Sequence, residues 1–409
     1  MTKIALISDI HVGKLSRTAE FAVVGEPIKD ETKGGVSLKE GLIHVLKQEK
    51  VEMLLVAGDL TSTGSPQEYD QCQNALNDIA RKVGISKDNL ILSVGNHDVD
   101  WKITRMAQEV YASYSAPFPI GNVAARYQLI AASIGSICMD ASDFNNTREP
   151  VPFTGIIDKK NVIIFVLNSG WCCSHNQEYK HGKLTAQQLE WFKENAKKYK
   201  KINKWKIVLL HHHPFNYPYP TLGMDISTLE EGGELLEIAG TNEINLICHG
   251  HRHHPRAKTA LETGWQQPIT FICAGSISVN SEHRNNGEIP NVFHIIELHK
   301  KGYTLTLKNY EYSAAEGWKP LMNYRPEAPL DAEMFLGKVY SAADIDSALK
   351  KLIIISKDDI KLPTWSNLPN ELKTLPLGDL NEKIKLFVSA THERVGRYPD
   401  LVVLIRRKS

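Results

Sequence analysis

Five short apolar runs in this chain each stop at a side chain that can bind a metal. Ile4–Ile7 leads into Asp9 and His11, Leu54–Ala57 into Asp59, Ile91–Val94 into Asn96, His97 and Asp98, Ile207–Leu210 into His211–His213, and Ile244–Cys248 into His249, His251 and His253. The runs are apolar on both faces, the pattern of central strands covered on either side. Strands of an open α/β sheet turn their carboxyl ends to one crevice, so these polar residues are expected to converge. Taken singly, an Asp-x-His, a Gly-Asp or a Gly-Asn-His-Asp is ordinary turn or cap chemistry. In this order, each at a strand end, they point to one shared site. Imidazole nitrogen with carboxylate and amide oxygen, and no thiolate, suits divalent Mn, Fe, Zn, Co or Ni better than a structural zinc cluster. A shared carboxylate can bridge two such ions, and a pair ~3.5–4 Å apart clamps the attacking and leaving oxygens of a phosphate displacement.

Amphipathic stretches at Leu38–Lys50, Pro66–Val83, Thr185–Lys198 and Glu231–Ala239 separate several of the strand patterns, so a layered α/β domain is expected. Asn291–Leu298 and Tyr303–Tyr310 read as an antiparallel pair that closes this domain, residues 1–312. Residues 313–330, with Gly317, Pro320, Pro326 and Pro329 and no sustained period, read as a linker. Residues 331–409 read as a small, mainly helical accessory region. Its expected helices are Ala342–Leu352, Asp379–Val395 with Gly396 as C-cap, and a last one opened by Pro399 through Leu401–Ile405.

The 48 Lys+Arg against 47 Asp+Glu give a net charge of +1, so no global field draws in nucleic acid or anionic lipid, although a local basic cleft is not excluded. No apolar run approaches the ~18–20 residues of a membrane span, so no membrane partner is expected. The opening MTKIALISDIH lacks the apolar length of an export signal, and the six cysteines show no CxxC spacing. A reducing, cytoplasmic compartment is expected.

Asp9-Ile10-His11, Gly58-Asp59, Gly95-Asn96-His97-Asp98, a His-x-Pro within His211–Pro214, and Gly250-His251-Arg252-His253 resemble, in order, the five signature blocks of the calcineurin-like metallophosphoesterases. The resemblance covers residues 3–310 and includes Gly182-Lys183-Leu184 with Gln188-Leu189-Glu190-Trp191. It implies a four-layer αββα (α+β) sandwich, two divalent metal ions, and hydrolysis of a phosphodiester or phosphomonoester by a metal-bridging hydroxide. Mn is the ion favoured for assay. Carried over by position, Asp9, His11 and His253 would hold the first metal, and Asn96, His251 and one histidine of the triplet the second, with Asp59 bridging. The His-x-Pro spacing selects His212 and direct continuation of the strand selects His211; the expectation adopted is His212. His97 would be the general acid or a cationic stabiliser beside the leaving oxygen, with Asp98 accepting its other ring N–H. His249 and His254 flank the last block as outer residues.

Departures from subfamily patterns narrow the substrate. Purple acid phosphatases carry Tyr three positions after the bridging Asp, where this chain has Ser62. Gly58-Asp59-Leu60-Thr61 with Gly64–Tyr69 resembles the bacterial cyclic-nucleotide phosphodiesterase branch, so a small phosphodiester is the expected substrate. The Asp-Ile-His-Val-Gly opening resembles recombination nucleases of the same superfamily, which makes a nuclease the alternative. A non-catalytic scaffold is a third reading, disfavoured because every ligand position is filled. Trp171-Cys172-Cys173 reads as loop thiols near the cleft rather than a redox pair, Lys193–Asn203 as a solvated helix end, and Tyr217–Pro220 as either a cleft wall or a rigid loop. In residues 331–409, 13 Lys+Arg meet 11 Asp+Glu, giving no warrant for nucleic acid. Phe387–Leu401 faintly resembles helical adaptor domains, which suggests a protein partner for this region, against the plainer reading of a cap packed on the core.

Overall fold

The computed structural model of the chain describes residues 2–99, 153–170, 173, 182–216, 228–300, 302–322, 330–353, 360–375, 377–388, 392–398 and 403–407. Strands β1 (Thr2–Ile7), β2 (Met53–Ala57) and β3 (Leu90–Ser93) run parallel in a first sheet. A second sheet follows, with β4 (Gly155–Asp158), β5 (Val162–Val166), β6 (Trp205–Leu209), β7 (Leu246–His249), β8 (Arg256–Ala260) and β9 (Ile269–Cys273) in the spatial order β4-β5-β6-β7-β9-β8. The chain then returns to the first sheet as β10 (Val292–Leu298), β11 (Leu305–Ser313), β12 (Gly317–Pro320) and β13 (Glu333–Leu336). That sheet reads β12-β11-β10-β1-β2-β3, with β13 also paired to β11.

The near-continuous apolar reading of the central strands now has its cause. In β1, Ile4 and Leu6 point between the sheets toward Ile164, Ile207 and Leu246, while Ala5 and Ile7 point outward to a helical layer. That layer is α1 (Leu38–Glu49) and α2 (Pro66–Val83); α3 (Ala186–Tyr199) and α4 (Gly232–Thr241) cover the second sheet in the same way. The result is the expected four-layer αββα arrangement with three apolar interfaces. Local signals set the helix ends. Ser65 and Glu68 form a capping box before α2, Pro66 takes its first turn, and Gly84 closes it in the left-handed conformation.

Two expectations for the rest of the chain change. Gly317–Pro320, expected within a linker, is the edge strand β12: Gly317 takes φ +75 at the turn, and Trp318 packs on Phe293 and Tyr312. With β13 also on β11, the sheet runs on to Leu336, so residue 312 lies inside a hydrogen-bonded ladder. Beyond it stand α5 (Ala342–Leu352), β14 (Ile360–Leu362), α6 (Asn370–Lys373), α7 (Leu377–Val388), β15 (His392–Val395) and β16 (Val403–Arg407). The segment expected as a last helix over Leu401–Ile405 is instead part of β16, which pairs with β14 and β15. Val403 and Ile405 are buried on one face while Leu404 and Arg406 turn away, a period of two that suits β-branched residues better than a helix. The helix expected over Asp379–Val395 stops at Val388, and Gly396 follows a strand rather than capping a helix. Pro399 and Leu401 lie outside the described residues, as do Trp171, Cys172 and Tyr217–Pro220.

These last elements share an apolar core of their own, including Ile345, Leu349, Leu372, Leu380, Ile384, Tyr398 and Ile405. Asp331 joins that unit to the sheet: its carboxylate accepts the N–H of Leu377 at the start of α7 (2.8 Å), and its carbonyl accepts from the Asn309 side chain on β11 (2.6 Å). No described helix is long and apolar enough to cross a membrane. A chain ended at Tyr312 loses β12 and β13 from β11 and uncovers Leu305 and Leu307, so it is expected to aggregate, whereas one ended at Lys338 stays soluble. Size-exclusion chromatography reads the difference, and equal behaviour of the two would contradict this boundary.

Candidate metal centre

The loops after β1, β2, β3, β6 and β7 meet where the two sheets abut. Asp9 and His11 follow β1 and are tied to the next loop by Asp9 N–H to Gly58 O (3.1 Å) and His11 N–H to Asp59 O (3.0 Å). His97 N–H donates to Asp59 Oδ1 (2.8 Å), and His251 N–H to Asp9 Oδ2 (3.1 Å). Asp9, His11, Asp59, His251 and His253 all sit at positive φ, between 49 and 85, which non-glycine residues adopt only at a cost of about 1–3 kcal/mol each. Glycine supplies the clearance beside them. A Cβ on Gly95 would fall 2.2 Å from Asp59 Oδ1, and one on Gly250 would fall 2.6 Å from Asp9 Oδ2.

Acceptor atoms face acceptor atoms in this cluster. His211 donates its Nδ1–H to Ala57 O (2.7 Å), so in the neutral ring Nε2 presents a lone pair, and that Nε2 lies 3.2 Å from Asp59 Oδ2 and 3.1 Å from Asn96 Oδ1. His253 likewise donates Nδ1–H to His283 O (2.9 Å) and turns Nε2 to Asp9 Oδ1 (3.3 Å) and to His11 Nε2 (3.2 Å). His11 Nε2 is 3.4 Å from Asp59 Oδ2, and His251 Nδ1 is 3.2 Å from His211 Nε2. A cation between such atoms turns the repulsion into ligation. The donors therefore fit divalent metal ions, in four overlapping sets: Asp9, His11 and His253; Asp9, Asp59 and His211; His11, Asp59 and His97; and His211, His212 and His251.

The electrostatics agree. Burial opposes ionisation of Asp9 and Asp59, but the surrounding imidazoles hold both carboxyls below the usual carboxylate range, so they remain anionic. Burial pushes His11 down to about 4 and lowers His251 and His212, which keeps these rings neutral. Burial also disfavours the His211 cation, yet Asp59 pushes this ring up to about 9: without a metal, a proton does the same work.

A family model described as calcineurin-like phosphoesterase matches residues 2–255. The chain belongs to the calcineurin-like phosphoesterase family. This phosphoesterase is 26% identical over 244 residues to the uncharacterized metallophosphoesterase-like protein YydB of Bacillus subtilis, a match spanning 58% of this chain and 48% of that one, so the chain spans about half the length of that relative. It is similar at 12% identity to a dimetal phosphatase from Danio rerio (TM-score 0.44; 75% of this chain, 95% of that one). A purple acid phosphatase from yellow lupin gives 12% identity and a TM-score of 0.47, over 77% of this chain and 52% of that one. The family match and the His/Asp clusters together imply divalent metal ions at this site.

Asp9, His11, Asp59, Asn96, His251 and His253 of the phosphoesterase converge, and the triplet histidine that meets Asp59 and Asn96 is His211. His212, the residue chosen on the His-x-Pro spacing, groups its ligand atom with those of His211 and His251 and otherwise faces Ser169 and Cys173. Ser169 Oγ accepts the N–H groups of His211 (3.2 Å) and His212 (3.0 Å), which leaves its own proton for His212 Nδ1 (3.0 Å), and His212 Nε2 lies 3.7 Å from Cys173 Sγ. Asp98 was expected to accept a ring N–H of His97. The His97 Nδ1–H instead reaches Ser62 O (2.9 Å), because the Asp98 carboxylate is turned under the loop to accept from the N–H groups of Leu60 (2.7 Å), Thr61 (3.0 Å) and Gly95 (2.9 Å). Burial, then the charge of Asp59, pushes Asp98 up to about 7. Ser169 escaped the sequence reading, although it too ends an apolar strand, β5, and that was the signal available.

Replacing His211 by Ala is expected to leave no more than about one equivalent of Mn²⁺ on the desalted chain, and replacing His212 by Ala about two, as a binuclear centre requires. Elemental analysis of both variants separates the two ligands; the reverse pattern would return the role to His212.

Proposed function

We propose that this chain is a binuclear-metal-dependent phosphodiesterase acting on small phosphodiesters such as cyclic nucleotides. The observation that carries the reading is the acceptor-to-acceptor packing around Asp59, which a pair of dications balances. In this reading Asp9, His11 and His253 hold one ion, Asn96, His211 and His251 the other, and Asp59 both. When bound, such a pair neutralises phosphate charge and lowers the pKa of a water to near neutrality.

The chain's own groups supply the rest. His97 lies beside the cluster, its ring 4.7 Å from that of His11, and the Ser62 carbonyl fixes Nδ1–H. Nε2 is then the nitrogen left to face the leaving oxygen, and the imidazolium form of the ring is the one that has a proton there to deliver. Asp98 acts through the backbone: by accepting three N–H groups it sets the loop that carries His97 and the β2 loop that carries Asp59. The phosphodiester class rests on the Gly58–Tyr69 segment, and the cytoplasmic setting on cysteine usage; a nuclease remains the alternative that an activity screen decides.

Three outcomes check the proposal. Hydrolysis of bis(p-nitrophenyl) phosphate with Mn²⁺ should fall below about a tenth in Asp59→Asn, since a neutral amide cannot balance two dications; retention above that level rejects the binuclear reading. His97→Ala should keep its metal and lose ~10²–10⁴-fold in turnover, less for a good leaving group than a poor one. Equal losses with both leaving groups would remove the acid role. In a Mn²⁺-loaded screen of cyclic nucleotides, glycerophosphodiesters, phosphomonoesters and DNA, small diesters should lead, and robust cleavage of DNA alone would promote the nuclease.

A further inference from the structure

A sixth strand end reaches the metal centre. β9 lies parallel to β7, so its carboxyl end opens on the side where the loop after β7 carries His251 and His253. The run Ile269–Ala274 leads into Gly275-Ser276-Ile277-Ser278 rather than into an imidazole or a carboxylate, so no ligand type marks it in the sequence. In the fold this loop is laid along the one that carries Asp9 and His11. Ile277 N–H donates to Ser8 O (3.1 Å), the Ser276 hydroxyl to Asp9 O (2.9 Å) and the Ser278 hydroxyl to Ile10 O. Both serines are fully buried.

The opposite edge of the Asp9–His11 loop is bonded to the loop after β2: Asp9, His11 and Val12 donate their N–H groups to Gly58 O, Asp59 O and Leu60 O. Asp9 and His11 take φ 51 and 49, angles that persist only where the surroundings fix the backbone from more than one side. The two serine hydroxyls do so on the carbonyl edge, at the peptides before and after Ile10. Their own loop is anchored in turn. Ser276 Oγ accepts the Val279 N–H (2.9 Å), the Ser276 carbonyl accepts the Val292 N–H of β10 (2.9 Å), and Ser278 O accepts the Arg17 N–H (2.8 Å). Farther along, His283 O takes the Nδ1–H of His253 (2.9 Å). One loop thus acts on all three donors of the set Asp9, His11 and His253. His211 is set by other groups, the Ala57 carbonyl and Ser169 Oγ.

We propose that Ser276 and Ser278 are positioning residues for one metal ion of the pair, their hydroxyls holding the peptides around Ile10 so that Asp9 and His11 converge with His253 on a common ion. The inference rests on the binuclear reading above and adds the residues that set one half of the centre. Loss of both hydroxyls leaves two buried carbonyls without their donors and frees the Asp9–His11 backbone on that edge. The ion held by Asp9, His11 and His253 is then weakened, while the one held by Asn96, His211 and His251 keeps its ligands.

The test is a Mn²⁺ titration of the full-length Ser276→Ala/Ser278→Ala chain, read by calorimetry and electron paramagnetic resonance. The unaltered chain should take up two ions. The double variant should keep one at unaltered affinity and bind the other ~10–100-fold more weakly, the usual cost of losing a group that orients a metal ligand. At a Mn²⁺ level that fills both sites of the unaltered chain, it should show the sextet of an isolated ion. Adding His211→Ala should then remove the remaining ion, which assigns the serines to the side of Asp9, His11 and His253. Thermal midpoints of the metal-free chains report the fold, and if the double variant unfolds, Ser278→Ala alone is titrated in the same way. Two ions bound at unaltered affinity by the double variant overturn the inference, as do equal weakening of both ions or an ion retained in the triple variant. A single ion on the unaltered chain, lost in the double variant, would overturn the two-ion reading and leave the positioning role standing.

Discussion

The Asp59 carboxylate is the group around which the rest is arranged. One oxygen accepts the His97 N–H at 2.8 Å; the other stands 3.2 Å from the His211 imidazole and 3.4 Å from that of His11. Nothing in the apolar core requires an anion at that point, and burying one without compensation is costly. The surrounding structure makes sense as the means of placing it. Five donors sit at left-handed backbone angles, Gly95 leaves out the Cβ that would strike the carboxylate, and Ala57 and His283 lend carbonyls that turn two imidazoles lone-pair inward. Strain and desolvation accepted there are offset by three apolar layers that hold the five strands in register.

The sandwich follows from a simple property of the chain. Each central strand is apolar on both faces, so each sheet must be covered twice, once by its sister sheet and once by helices. The polar residues then have one place left, the loops at the carboxyl ends, and two sheets stacked face to face bring five such loops together. The third unit, from Ala342 onward, has its own core and meets the sandwich through the Asp331 carboxylate at the first turn of α7.

Much of this was legible beforehand because strand ends and ligand types are local signals. His211 was harder: the His-x-Pro spacing points to His212 and continuation of the strand to His211, and the folded loop after β6 is what brings the His211 ring to Asn96. The partner of His97 was illegible for a similar reason, since the Ser62 carbonyl is a backbone group, and Asp98 is drawn away by three N–H donors contributed largely by another loop. Trp318 and its strand sit in a Gly- and Pro-containing stretch that reads as linker until β11 is there to pair with it. Val403–Arg407 carries apolar residues in a run too short to distinguish a helix from a strand by period alone; pairing with β14 and β15 settles it.

The central claim is that one carboxylate spans two cations. Electron paramagnetic resonance of the full-length chain loaded with Mn²⁺ reads this directly, because ions ~3.5–4 Å apart and bridged by a carboxylate are magnetically coupled. The expected spectrum is that of an exchange-coupled pair, lost when Asp59 is replaced by Asn. The hyperfine sextet of isolated Mn²⁺ in the fully loaded, unaltered chain would contradict a shared site.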